Sequence, residues 1–257
     1  MRLSACIEWL FAAEADSFSD RIRLAHRHGV EAVEFWRWTN KDIGSIEWAL
    51  SETGTELTSF VAEPMIALTE RANKDVFLKG LKSSMETARR LGAHILIVQA
   101  GDDLPGKPRE EQKAALIDTL AAAGEMLEGS GIRLGLEPLN TLIDHVGYFL
   151  HSTVEGIDIV KATGRPEIGI VYDVYHSAVM GEDTAEVVGG NIDRVFHIHI
   201  ADHPGRNEPG SGGIGLKARV DWLVEHGYTG AIGLEYRPLA KSATTIGETR
   251  RMLLKAP

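Results

Sequence analysis

Ile95-Leu96-Ile97-Val98-Gln99 is an almost wholly apolar run lying between two helical stretches. A strand that is apolar at both alternating sets of positions is covered on both faces, as in a parallel sheet flanked by helices. Before it, Lys74–Leu91 carries Phe77, Leu78, Leu81, Met85 and Ala88 at helical spacing and stops at Gly92. After it, Arg109–Leu127 reads as a second helix. The same alternation extends to both ends of the chain. Toward the N-terminus, strands are expected at Leu3–Ile7, Ala32–Trp36 and Leu57–Val61. Helices are expected at Phe18–His28, capped by Ser17 or Ser19 and ended by Gly29, and at Asp42–Thr53. Toward the C-terminus, strands are expected at Arg133–Glu137, Gly169–Asp173, Val195–His199 and Ala231–Glu235. Helices near Thr153–Thr163, Asp183–Gly189, Ala218–His226 and Thr245–Leu254 follow them.

Eight strand–helix units in about 250 residues predict an α/β fold of one kind, a single (β/α)8 TIM barrel. An open doubly wound sheet would hold fewer units, and no GxGxxG follows the first strand. No Pro/Gly/Ser linker divides the chain, so residues 1–257 are expected to form one barrel domain. The segment richest in Gly and Pro, Pro204 to Gly215 (PGRNEPGSGGIG), falls just after the seventh strand, where a loop can close over a site.

Composition narrows the function. The net charge of -10 opposes a phosphate backbone, which disfavours nucleic acid as a partner. No run approaches the roughly 18 apolar residues of a membrane span, and MRLSACIEWLF lacks the features of a signal peptide. Cys6 is the only cysteine, so no internal disulfide can form. A cytoplasmic enzyme acting on a small molecule is expected.

Four successive strands end in a side chain able to bind a metal: Glu137 in GLEPLN, Asp173 in VYDVYH, His199 in HIHIAD and Glu235 in GLEYRP. Each is about one strand–helix unit from the next. In a barrel they stand side by side at the C-terminal rim, where active sites of this fold are built. A single strand-end acid is more often solvated or ion-paired; four in succession point to a shared cation. Three carboxylates and one imidazole suit one divalent ion, Mg²⁺, Mn²⁺ or Co²⁺, with Zn²⁺ also admissible.

Other polar residues fit the same rim. His176, expected in the loop leaving the sixth strand, could bond a substrate oxygen. Arg206, in the Gly-rich loop, could bind a carboxylate or polarised oxygen. Of the two histidines on the seventh strand only His199 is expected to face the barrel interior, with His197 a core or supporting residue. Asp202 and His203 read equally as supporting groups or as loop polarity. Trp36, Glu63 and Gln99 end earlier strands and are expected along the pocket wall, although simple packing accounts equally well for Trp36 and Trp38.

The motif order LEPLN, YDVYH, HIHIAD, NEPGSG and LEYRP, with the opening SACIEWLF and the VEFW strand, resembles the hydroxypyruvate isomerase group of xylose-isomerase-like TIM barrels. The resemblance spans essentially the whole chain. It implies that Glu137, Asp173, His199 and Glu235 bind the metal, that Glu137 and Glu235 are also the two acid/base carboxylates, and that His176 and Arg206 contact substrate. It also makes a homo-oligomer an expectation. Position 199 is Gln in some hydroxypyruvate isomerases and His in the related ketose epimerases. Where relatives read EPGTGE this chain reads EPGSGG, so Gly213 brings no acidic side chain to the loop.

The implied reaction is metal-dependent isomerisation of a small hydroxy-keto acid, of hydroxypyruvate isomerase or 2-oxo-tetronate isomerase type. Proton transfer would pass through a metal-stabilised enediolate. The alternative is a ketose 3-epimerase or inosose-type isomerase, taking a ketose as substrate. An AP endonuclease shares the barrel but requires a richer zinc cluster and a positive surface. A catalytically idle barrel is disfavoured by the presence of all four ligand types.

Overall fold

The computed structural model describes residues 2–253. Its strands are β1 (Arg2–Cys6), β2 (Ala32–Glu34), β3 (Glu56–Leu57), β4 (Ser59–Val61), β5 (Ile95–Val98), β6 (Arg133–Leu136), β7 (Ile168–Asp173), β8 (Val195–Ile200) and β9 (Ala231–Leu234). All pairings are parallel, in the order β3-β2-β1-β9-β8-β7-β6-β5-β4. The third barrel strand is split at Thr58 into β3, which pairs with β2, and β4, which pairs with β5. Thr58 N–H donates to the Val33 carbonyl at 2.9 Å and Val61 N–H to that of Trp36 at 2.9 Å, so the ring closes through the break. The result is the expected eight-stranded barrel with helices between strands.

The helices are α1 (Phe18–Arg27), α2 (Ile43–Thr53), α3 (Lys74–Leu91), α4 (Arg109–Leu127), α5 (Thr153–Ala162), α6 (Val174–Val179), α7 (Thr184–Val188), α8 (Leu216–Glu225) and α9 (Ser242–Leu253). Ser17, not Ser19, caps α1, accepting from Asp20 N–H. The last expected helix ends at Leu253; Leu254 lies outside the described residues. Among the described residues no helix is long and apolar enough to cross a membrane.

Two apolar layers follow from the period of two along each strand. Leu96, Val98, Leu134, Leu136, Ile170, Ile198, Ile200, Ile232 and Leu234 face outward into the main core beneath the helices. Inside the barrel a small cluster of Val61, Ile97 and Val171, with Trp36 packed on it, fills part of the bore. The rest of the bore is polar: Ser4 Oγ lies 2.7 Å from Thr58 Oγ1, which in turn donates to Glu34 at 3.1 Å. Between β7 and β8 the register shifts after Ile170, so that Val171 stands opposite His197 and Asp173 opposite His199. Such a bulge re-aims side chains; here it sets the two rim residues facing one another.

Candidate active site

Glu137 follows β6 directly, and its N–H donates to the Val98 carbonyl at 3.0 Å. Glu235 follows β9 in the same way, bonded to the Ile200 carbonyl at 3.2 Å. Asp173 ends β7 and caps α6. One of its oxygens, Oδ1, accepts from the N–H groups of Tyr175 at 2.8 Å and His176 at 3.1 Å, leaving Oδ2 beside Arg206 and the His176 ring. His199 lies in β8 with Nδ1 2.8 Å from Glu137 Oε1 and 3.7 Å from Glu235 Oε2. One donor atom from each of Glu137, Asp173, His199 and Glu235 lies within 4.8 Å of the others, and all four residues are buried. The four expected ligand positions therefore converge.

The electrostatics fit a cation. Burial holds the carboxyls of Glu137 and Asp173 above the usual range, only partly opposed by His199 and Arg206 respectively. Burial pushes Glu235 the same way, but the charges of His199 and Arg206 outweigh it and leave this carboxyl below its usual range. Three buried acids crowded around one point, balanced without metal by Arg206 and a protonated His199, form with the neutral His199 ring a donor set that could hold a divalent ion.

Arg206 and His176 both reach this centre. Arg206 Nη2 donates to Glu235 Oε2 at 2.6 Å and lies 3.6 Å from Asp173 Oδ2. Its φ of 53° is a left-handed conformation that costs a non-glycine residue energy and is tolerated where the surroundings enforce it. His176 corrects an expectation: it lies in the short helix α6, which begins immediately after β7, and not in a loop. Its Nδ1 accepts from Asn140 N–H at 3.1 Å. The proton of the neutral ring is therefore on Nε2, which is buried, has no hydrogen-bond partner among the described residues and lies 3.6 Å from Asp173 Oδ2. Burial, with Arg206 nearby, keeps this imidazole well below its usual pKa, hence neutral.

The expectation that only one histidine of β8 faces inward fails. Residues two apart on a strand share a face, and the rings of His197 and His199 pack edge to face, 4.9 Å between centroids. Glu34, unforeseen as a site residue, lies beneath both. Its Oε2 is 2.9 Å from His197 Nε2, and its Oε1 is 3.2 Å from His199 Nε2 without completing an aligned hydrogen bond. A carboxylate behind a metal-capable imidazole fixes which nitrogen faces the centre.

Space for this triad depends on Gly233, two residues before Glu235. A Cβ there would stand 2.5 Å from His199 Cδ2 and 2.9 Å from His197 Nε2, and would press on Glu34 Oε1. Gly233→Ala is expected to cost about 1–3 kcal/mol, in the range of overpacked interiors, seen as an earlier denaturant midpoint. A midpoint equal to that of the unmodified chain would show that the bore is looser than this geometry.

A cavity of about 450 Å³ is lined at its base by Glu137, His199 and Glu235, three of the four ligand positions. Trp9, Trp36, Val61, Ile97, Gln99 and Leu139 contribute to its wall, with Arg37, Arg206, Arg237, Asp144, His145 and His176 as its other polar members. Trp36 and Gln99 thus lie where expected. Trp36 does more than pack: its Nε1–H donates to Glu235 Oε1 at 2.6 Å. Trp38 instead bonds Ser84 at 3.0 Å, away from the cavity wall. Asp202 pins the Gly-rich loop, accepting from His203 N–H at 2.9 Å and Gly210 N–H at 2.8 Å.

Glu63 is not part of the cavity wall. It accepts from Arg37 Nε at 2.8 Å, from the N–H groups of Trp38 at 3.0 Å and Thr39 at 2.9 Å, and from Thr39 Oγ1 at 2.8 Å. Burial raises its pKa, but these donors together hold it below the usual carboxylate value. A depressed folded pKa gives a stabilisation fully present above the unfolded value of about 4.3 and lost as pH falls through the folded value. Glu63→Gln should therefore remove part of the stability loss seen in a pH titration below about 4.3. A titration of the same shape in both proteins would refute the assignment.

The family model described as "Xylose isomerase-like TIM barrel" matches residues 22–256. The hydroxypyruvate isomerase of Escherichia coli K12 is 29% identical over 246 residues, covering 93% of this chain and 94% of that one. The 2-oxo-tetronate isomerase of Cupriavidus necator is 28% identical over 253 residues, covering 96% of each. A crystal structure described as an AP endonuclease, family 2, from Brucella melitensis superposes with a TM-score of 0.89 at 26% identity, covering 96% of this chain and 97% of that chain.

Proposed function

This chain belongs to the xylose isomerase-like TIM barrel family, and from that premise we propose that it is a metal-dependent sugar-acid isomerase acting on a small hydroxy-keto acid. The reaction is of the hydroxypyruvate isomerase or 2-oxo-tetronate isomerase type, the activities named for relatives at 29% and 28% identity over most of the chain. The observation that carries this reading is the convergence of Glu137, Asp173, His199 and Glu235 within 4.8 Å beneath a small cavity. Residues 1–257 are read as one barrel domain carrying this one site.

Glu137, Asp173, His199 and Glu235 would hold the ion. A divalent cation there would supply Lewis acidity to the oxygens of the substrate. The rest is done by side chains. One of Glu137 and Glu235 takes the proton from the carbon beside the carbonyl, and the other returns a proton to the adjacent carbon of the enediolate. Trp36 Nε1–H and Arg206 Nη2 hold the two oxygens of Glu235, so this carboxylate has little freedom to turn. His176 Nε2–H, unpartnered and buried, is the donor available to a substrate oxygen. The apolar wall of Trp9, Val61, Ile97 and Leu139 limits the water that competes for these protons.

The test is incorporation of solvent deuterium at the carbon next to the carbonyl of hydroxypyruvate or a 2-oxo-tetronate, in the presence of Mn²⁺, with product identified by NMR. Exchange with formation of the isomeric aldehyde or 3-oxo acid supports the reading. Inversion at a single carbon of a ketose, with hydroxy acids inert, would move the assignment to a ketose 3-epimerase or inosose-type isomerase.

A further inference from the structure

Arg206 and Arg237 each place the guanidinium carbon 5.0 Å from the centroid of the Trp9 ring, and all three residues line the cavity. Their charges are differently committed. Arg206 is largely buried and bound to Glu235 and Asp173. Arg237 has no carboxylate partner among the described residues, and its side chain rests on the indole face alone. Its backbone, however, is tightly held: the N–H donates to the Arg206 carbonyl at 2.9 Å, and the carbonyl accepts from Asn207 Nδ2 at 2.7 Å. The Gly-rich loop thus sets this cation at the cavity wall without neutralising it. Arg37, also on the wall, gives its Nε to Glu63, and among the described residues its other N–H groups have no partner.

The cavity is therefore polarised. At its base lie Glu137 and Glu235, carboxyl groups that disfavour an anionic group beside them. On its wall stand guanidinium groups with unused donors. We propose that Arg237 is the seat of the substrate carboxylate, so that the site selects small hydroxy-keto acids over neutral ketoses of the same length. The inference rests on the isomerase reading above and adds to it the residue that discriminates the acid from the ketose. A carboxylate matches the guanidinium fork with two parallel hydrogen bonds, whereas a hydroxyl group meets only one N–H and brings no charge. Stacking on Trp9 restricts the fork before the ligand arrives, which lowers the ordering cost of binding. With its carboxylate against Arg237, the acid turns its hydroxyl and carbonyl carbons toward Glu137 and Glu235.

The experiment compares Arg237→Gln and Arg237→Lys with the unmodified, Mn²⁺-loaded protein, using hydroxypyruvate and its neutral counterpart dihydroxyacetone as exchange substrates. In Arg237→Gln, kcat/KM for hydroxypyruvate should fall about 30-fold, mainly through KM, as expected for losing one charge-assisted pair. The value for dihydroxyacetone should change less than about twofold, and Arg237→Lys should recover part of the loss. Equal losses on both substrates, or none on the acid, would overturn the proposal. Calorimetric titration with tartronate, a small hydroxy diacid, separates this idea from the isomerase reading. If the unmodified protein exchanges neither substrate, the isomerase reading fails by itself. The carboxylate seat then stands if Arg237→Gln weakens tartronate binding about tenfold or more, and falls if the two affinities match.

Discussion

Glu137→Gln and Glu235→Gln are each expected to lower kcat for isomerisation by about a thousandfold or more, within or beyond the range of general acid–base groups. That corresponds to roughly 4 kcal/mol in the barrier. The amide keeps the shape of the side chain and can still accept the Trp36 Nε1–H bond at position 235, but it cannot carry a proton. Neither change should unfold the chain. Neutralising one of three crowded buried acids relieves repulsion, although Glu235→Gln also weakens the partner of Arg206 Nη2. The two variants should differ in an informative way. If one carboxylate serves each carbon, each variant will still exchange solvent deuterium into one of the two isomers while failing to interconvert them. Wild-type interconversion in either variant would remove these carboxylates from the proton path.

The sequence carried the barrel well because its signals are local. ILIVQ must be covered on both faces, and the recurrent Gly-Leu-Glu of residues 135–137 and 233–235 marks two strands that end in the same way. The convergence of Glu137, Asp173, His199 and Glu235 follows from barrel geometry once eight parallel strands are granted, since parallel neighbours bring their C-terminal ends to one rim. The split at Thr58 was not legible. It depends on β2 and β5 pairing with different parts of one strand, which periodicity does not reveal. Helix α6 was missed because Val174-Tyr175-His176 reads as the loop leaving the sixth strand; only the capping role of Asp173 starts a helical turn there.

The least legible features depend on partners far apart in the chain. Glu34 looks like one acid in an apolar strand until β8 brings His197 beside it, 163 residues away. The inward direction of both β8 histidines was available from strand period alone, and the error lay in opposing residues that share a face. The significance of Arg237 within LEYRP required the Gly-rich loop, Trp9 and the cavity to be seen together.

Chelation of bound metal is expected to abolish turnover and to lower thermal stability, with Mn²⁺, Mg²⁺ or Co²⁺ restoring both. Two unit charges 4.8 Å apart, the outer limit for donor atoms in this cluster, repel by about 3.5 kcal/mol at an effective dielectric of 20. Arg206, and without metal the protonated His199 ring, offset part of that for Glu137, Asp173 and Glu235; a divalent ion would replace the His199 proton and offset more. At a cation concentration 100 times its dissociation constant, linkage gives about 2.7 kcal/mol of stabilisation. For a chain of this size that is roughly 5–10 °C in Tm. Asp173→Asn should lose most of this cation-induced rise. Because Oδ1 caps α6 while Oδ2 lies toward Arg206, the variant still presents an acceptor for the Tyr175 and His176 N–H groups. Its metal-free Tm should therefore stay close to that of the chelated parent. A chelated protein that keeps full turnover, together with a Tm unmoved by any of these ions or Zn²⁺, would leave the four converging side chains as a charge cluster without a metal, and isomerisation by this route would be excluded.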